Sequence, residues 1–254
     1  MGETWVLLRG LVREGRHWEG FPRLLEDYRP GARVVTPDLP GNGTRHEEPS
    51  PTRVPEMVEA LRADLARQGL RPPWHVMALS LGGMVVVDWL ARYPEELAAV
   101  VVINTSAGGF NPFWQRLQPG AWWPILRHGL LGHDPVGRES MILGLSTNLL
   151  GRHRRDILAE RWAEYARGTP TRRENSLRQL LAASRFRAPQ RLPNGVPLLL
   201  VNGAGDRLVS PRCSISLAAA WHCRLRVHPR AGHDLALDAP EWLARTVNEW
   251  MAEM

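Results

Sequence analysis

Three side chains of this chain could do chemistry together: Ser80, Asp206 and His233. A serine hydroxyl is a weak nucleophile until an imidazole takes its proton. The imidazole in turn needs a carboxylate to fix its tautomer and to stabilise the imidazolium. Ser80 stands in Ala78-Leu79-Ser80-Leu81-Gly82-Gly83, between an apolar run at 74–79 and an apolar segment of helical character. This is a small-x-Ser-x-small turn, a variant of the G-x-S-x-G nucleophile elbow. Strand and helix come so close there that the flanking positions need small side chains. The serine is pushed into a strained backbone conformation that aims its hydroxyl over the sheet edge. Ala78 keeps the small size but departs from the commoner glycine. By itself such a turn also serves as a plain strand-to-helix connection. Catalysis is indicated by the order of residues downstream, an acid after a late strand and then a histidine near the C-terminus.

Asp206 ends the turn Asn202-Gly203-Ala204-Gly205-Asp206, and His233 lies in the loop Pro229-Arg230-Ala231-Gly232-His233-Asp234. Each of the three falls just past the C-terminal end of an expected parallel strand, the edge where open α/β sheets bind their ligands. The other eight of the nine histidines lack a comparable partner pattern and read as surface or core side chains. Rival acids are weaker. Asp234 adjoins His233 and would struggle to turn under the same ring. Asp238 suits a helix cap, Asp88 lies within the elbow helix, and Asp38 comes after an earlier strand.

Positioning these residues takes an alternation of strands and helices. Apolar runs predict strands at 5–8, 33–36, 74–79, 97–104, 196–201 and 223–228. Helices are expected at 17–28, 54–68, after the elbow, at 210–221, and from Asp238, where Asp238 and Glu241 form a capping box. The pattern implies an α/β protein with a mostly parallel sheet of about six strands, covered on both faces. Between 107 and 193 no strand-like run occurs, and the best helical stretch, 154–167, puts Leu158, Trp162 and Tyr165 on one face. Residues 107–193 therefore read as an all-helical cap inserted into a core made of 1–106 and 194–254. Four of the eleven tryptophans, Trp114, Trp122, Trp123 and Trp162, lie in it. Most should fill the cap's own core, and at least one is expected to face an apolar substrate.

Composition bounds the function. With 254 residues, 44% hydrophobic and 23% charged, the chain is an ordinary globular protein able to bury a sizeable core. The net charge of +6 comes entirely from scattered arginines, with no lysine. No basic run interleaved with aromatics appears, which disfavours nucleic acid as a partner. Cys213 and Cys223 form neither a CxxC nor a Cys/His cluster, so free thiols are expected and no structural zinc. No signal peptide and no run of 18 apolar residues is visible, so the expected location is cytoplasmic, without a membrane span.

The segments LLRG (7–10), PDLPGNG (37–43), ALSLGG (78–83), GAGDRLVSP (203–211) and AGHDLALDAPEWL (231–243) together resemble the α/β-hydrolase superfamily over nearly the whole chain. The resemblance implies the α/β-hydrolase fold, no metal or organic cofactor, and an oxyanion hole formed by the backbone amides of Leu11 and Leu81. The family usually carries His-Gly where Arg9-Gly10 stands here. A backbone role survives that change, while the local pocket wall does not stay the same. The first strand starts almost at Met1, so the family's N-terminal antiparallel hairpin is expected to be missing. The function implied is a serine hydrolase that cleaves a small, fairly apolar carboxylic ester through an acyl-enzyme. Thioesterase, C–C hydrolase and acyltransferase activities belong to the same fold. A reading from another class is a small-molecule binding protein on a hydrolase scaffold with little turnover.

Overall fold

Six strands, β1 (Thr4–Leu8), β2 (Arg33–Val35), β3 (Trp74–Leu79), β4 (Leu97–Ile103), β5 (Leu198–Gly203) and β6 (Arg224–His228), pair in the order β2-β1-β3-β4-β5-β6. Every pairing is parallel. The computed structural model describes residues 2–130 and 134–254. The strand period of two divides the apolar runs between two faces. Val6, Leu8, Val76, Ala78, Val100 and Val102 pack under α2 (Val54–Arg67) and α3 (Leu81–Arg92). Trp5, Leu7, Met77, Leu79, Val101 and Ile103 pack against α1 (Phe21–Tyr28) and the C-terminal helix. Burial on both faces is why these strands read as continuous apolar runs rather than as alternating ones. The edge strand β6 is different: it puts Arg224 and Arg226 in solvent, charges that discourage pairing with another chain.

The helix expected at 17–28 is broken. A 3-10 turn, Gly15–Trp18, precedes α1, which restarts after Gly20 with Pro22 in its first turn. The strand expected at 196–201 begins two residues later. Pro197 has no N–H to donate, and its carbonyl accepts from Val100 N at 2.9 Å just before the ladder starts at Leu198. The capping box at Asp238 is overturned. A helical turn, Leu235–Asp238, ends there, and the last helix, Pro240–Ala252, starts after Ala239 with no side-chain cap. Proline at the first helical position sets that start. The Asp238 carboxylate instead accepts from the amides of Asn148 (2.7 Å), Leu149 (2.9 Å), Leu150 (3.2 Å) and Gly232 (2.7 Å).

Between β4 and β5 the described chain is helical: α4 (Phe113–Arg116), α5 (Pro119–Pro124), a π-type turn (Ile125–Leu130), α6 (Pro135–Ser146), α7 (Arg152–Gly168) and α8 (Arg173–Arg185). Residues 131–133 of this stretch lie outside the described residues. One isolated parallel bridge, Gly108 to Arg187, ties its two ends together. Leu143, Leu158, Ala159 and Trp162 give α6 and α7 a small core of their own, joined by Leu237 from the helical turn that follows β6 in the chain. Among the described residues no helix is long and apolar enough to cross a membrane, and both cysteines are free.

Candidate active site

Ser80 sits at the tip between β3 and α3 with φ 58 and ψ −116, a conformation that a non-glycine residue holds only when its surroundings over-determine it. The surroundings do so. Ser80 N donates to Ile103 O at 2.9 Å, and Ser80 O accepts from Thr105 Oγ1 at 2.8 Å and from Met84 N at 3.2 Å. A Cβ at Gly82 would stand 2.7 Å from Arg9 O and 2.8 Å from Leu8 O, so helix and neighbouring strand touch through bare backbone. A Cβ at Gly10 would come 3.0 Å from Ser80 Cβ. Ala78 is fully buried between Leu8 and Val102 in the sheet register, where its methyl group fits.

Asp206 and His233 meet as buried partners, with His233 Nδ1 2.7 Å from Asp206 Oδ2. The other carboxylate oxygen accepts from Leu208 N at 2.8 Å and Val209 N at 2.9 Å. Held this way, Asp206 accepts a hydrogen bond from His233 Nδ1–H and so leaves Nε2 free to accept a proton. Ser80 and His233 line one cavity of about 220 Å³. Among the described residues no hydrogen bond joins the Ser80 hydroxyl to the imidazole. Such bonds commonly tighten only with substrate present. Leu11 and Leu81 line the same cavity. Leu81 opens α3, so its N–H has no acceptor one turn back, and Leu11 N donates to no backbone oxygen among the described residues.

Residues 5–246 match the Alpha/beta hydrolase family. The chain belongs to that family. A pimeloyl-[acyl-carrier protein] methyl ester esterase of Stenotrophomonas maltophilia is 30% identical over 222 residues, 86% of this chain and 80% of that protein. The protein of the same name from Xanthomonas campestris is 26% identical over 265 residues, covering all of this chain and 96% of its own. Among solved structures, the enol-lactonase from Burkholderia xenovorans superposes with a TM-score of 0.79 at 17% identity, over 99% of this chain and 92% of that one.

The rival acids of this hydrolase are engaged elsewhere. Asp38 accepts from Gly15 N (2.7 Å), Thr44 N (2.8 Å) and Thr44 Oγ1 (2.8 Å), and burial raises its pKa despite those bonds. Asp88 pairs with Arg92 at 2.8 Å. Asp234 turns away from the His233 ring to a buried bidentate pair with Arg9, Nη2–Oδ2 2.5 Å and Nη1–Oδ1 3.3 Å. Arg9 thus joins the loop of Leu11 to the loop of His233 and stacks over Trp18 at 4.9 Å. Sequence alone marks Arg9 as a changed wall but does not give its partner. Nor does it give Asn104. That side chain donates to Gly232 O (3.2 Å) and His233 O (2.7 Å) and accepts from Gly203 N (3.0 Å), fastening the histidine loop to β5. The visible signal is a polar residue closing the apolar run of β4.

The tryptophans divide. Trp162 is buried and lines the cavity. Trp114, Trp122 and Trp123 are 50%, 42% and 65% exposed and do not line it. They form neither a cap core nor a pocket wall. The helices that carry them, of four and six residues, are too short to enclose a core.

Proposed function

We propose that this protein is a serine hydrolase that cleaves a carboxylic ester through an acyl-enzyme. The observation that carries the reading is a serine on a strained elbow sharing a cavity with a buried imidazole–carboxylate pair. In the first half-reaction Ser80 Oγ attacks the ester carbonyl carbon while His233 Nε2 takes the hydroxyl proton. Asp206 holds the ring and offsets the imidazolium charge. The Leu11 and Leu81 amides donate to the oxyanion, each worth about 3–4 kcal/mol in comparable enzymes. His233 returns the proton to the leaving alcohol, and water, deprotonated by the same nitrogen, then releases the acid and Ser80.

The ester as the bond class is supported by the names of the curated relatives, which are methyl ester esterases. Residues 107–193 are read as a cap. Met141, Ile142 and Leu145 from α6 and Leu180 from α8 contribute apolar wall above Ser80. That favours a small, fairly apolar chain, at roughly 0.8 kcal/mol per buried CH₂. The free thiols fit a reducing, cytoplasmic setting. The test is labelling with a fluorophosphonate probe together with turnover of p-nitrophenyl and methyl esters. Both should vanish in Ser80→Ala, with the fold intact by circular dichroism. Unchanged turnover in that variant refutes the mechanism. A wild-type protein that neither labels nor turns over any ester is a binding scaffold instead.

A further inference from the structure

The cavity holds more positive charge than an apolar ester requires. Four arginines line it: Arg9, Arg13, Arg116 and Arg138. Arg9 is matched by Asp234. Arg116 donates to Ala183 O (2.5 Å) and Ser184 O (3.3 Å), where it caps the C-terminal end of α8. The other two converge on a single carboxylate. Arg13 Nη2 lies 2.7 Å from Glu139 Oε2, and Arg138 Nε lies 3.1 Å from Glu139 Oε1. The Arg13 and Glu139 side chains are only 9% and 1% exposed. Their close contact is poorly aligned, so Arg13 Nη2 and Glu139 Oε2 are both buried without a hydrogen-bond partner.

Among the described residues no neighbouring group supplies the missing negative charge. The other arm of Arg13, Nη1, donates to His17 Nε2 at 3.3 Å. Burial and the nearby charges of Arg13 and Arg9 push the His17 pKa well below its usual value, so that ring is neutral. Glu14 is engaged by Arg16, with Nη2–Oε2 at 2.8 Å. Trp162 lies beneath Arg13 at 4.9 Å and contributes only its π face. Two cations and one anion therefore face a largely apolar space, one positive charge in excess. Arg13 and Glu139 are buried while the Arg138 side chain is 26% exposed, so water screens the excess charge only in part and a counter-anion is favoured there.

We propose that Arg13 and Arg138 form an anion subsite, and that the preferred substrate is an ester whose second end is a carboxylate, the half-ester of a dicarboxylic acid. This rests on the serine-esterase reading above and names its substrate class. One carboxylate matches the single excess charge, whereas a phosphate dianion would overshoot it. A carboxylate is also the planar partner that a guanidinium meets with two parallel hydrogen bonds. The apolar wall from Met141, Ile142 and Leu145 then accommodates the methylenes between the two ends.

The experiment compares kcat/KM for methyl esters of equal chain length ending in a carboxylate, a methyl group or an ammonium group. The wild type should favour the carboxylate end over the methyl end by about tenfold or more, and should disfavour the ammonium end. Arg138→Gln, at a partly exposed side chain, should lower that ratio about tenfold, chiefly through KM. Glu139→Gln keeps the size, removes the competing carboxylate and should raise the ratio. Glutarate should raise the melting temperature of Ser80→Ala as it does that of wild type, and less so in Arg138→Gln. A wild-type ratio at or below one overturns the proposal, as does a ratio that neither variant moves. Loss of the neutral ester's Ser80-dependent turnover would instead strike the esterase reading, and the glutarate shift reads the subsite without turnover.

Discussion

Breaking the Arg9–Asp234 pair offers the sharpest check on how the site is held. Both side chains are almost wholly buried, at 3% and 4% exposure, and two contacts of 2.5 and 3.3 Å join them. Removing one partner strands the other charge away from water, at a cost of about 3–5 kcal/mol. For a chain of this length each kcal/mol moves the melting temperature by about 2–4 °C, so Arg9→Met should melt roughly 6–20 °C lower. Asp234→Asn should do less, because the amide oxygen still accepts from one arm of the guanidinium. The double variant Arg9→Met/Asp234→Leu removes both charges together and also the buried, unpartnered Arg9 Nε. It should recover most of the loss. What it cannot recover is the stacking over Trp18, worth about 0.5–2 kcal/mol. The pair also binds the Leu11 loop to the His233 loop, so each single variant should lower kcat more than it raises KM. Urea denaturation, thermal melts and ester turnover on the same samples supply the numbers. With Asp234→Leu also measured alone to close the cycle, additivity of Arg9→Met and Asp234→Leu within about 0.5 kcal/mol refutes the argument, since uncoupled residues behave that way.

Three further outcomes are expected. Asp206→Asn should cost kcat on the order of 10⁴-fold, because the amide no longer enforces the right tautomer, while Asp38→Asn should cost far less; steady-state kinetics that reverse this order reassign the acid. His17 is held neutral in the fold, so the unfolded chain binds one more proton below about pH 6.5. Stability should therefore fall on acidification by up to about 1.4 kcal/mol per pH unit from this group, and His17→Gln should flatten that limb in urea titrations between pH 7.5 and 5. An unchanged limb would mean that His17 is protonated in the native state. Trp162→Ala should change KM and the preferred acyl length, whereas Trp123→Ala should leave both alone; a chain-length series showing the opposite removes Trp162 from the substrate wall.

The strands were legible because a strand buried on both faces announces itself locally: Leu97–Ile103 is an unbroken apolar run and Trp74–Leu79 is interrupted only by His75, both bounded by turn residues. The elbow was legible for the same reason, since its constraint acts between residues two apart. What escaped were groups whose partners are far along the chain. Asp238 shows how the failure arises. Its spacing to Glu241 is a valid capping signal, yet a carboxylate goes where the most donors converge, and the fold brings it four amides from 148–150 and from Gly232. Pro240, which needs no donor satisfied at the first helical position, then starts the helix unaided. The same logic applies to Arg9 with Asp234, to Asn104 with the His233 loop, and to Arg13 and Arg138 with Glu139. All lie at or above the C-terminal edge of the sheet, where the loops arrive from distant parts of the sequence and leave polar backbone that something must satisfy. Local rules thus read the scaffold and the nucleophile's turn. The charged residues around the cavity obey long-range electrostatics instead, and it is on them that the specificity of this hydrolase is expected to depend.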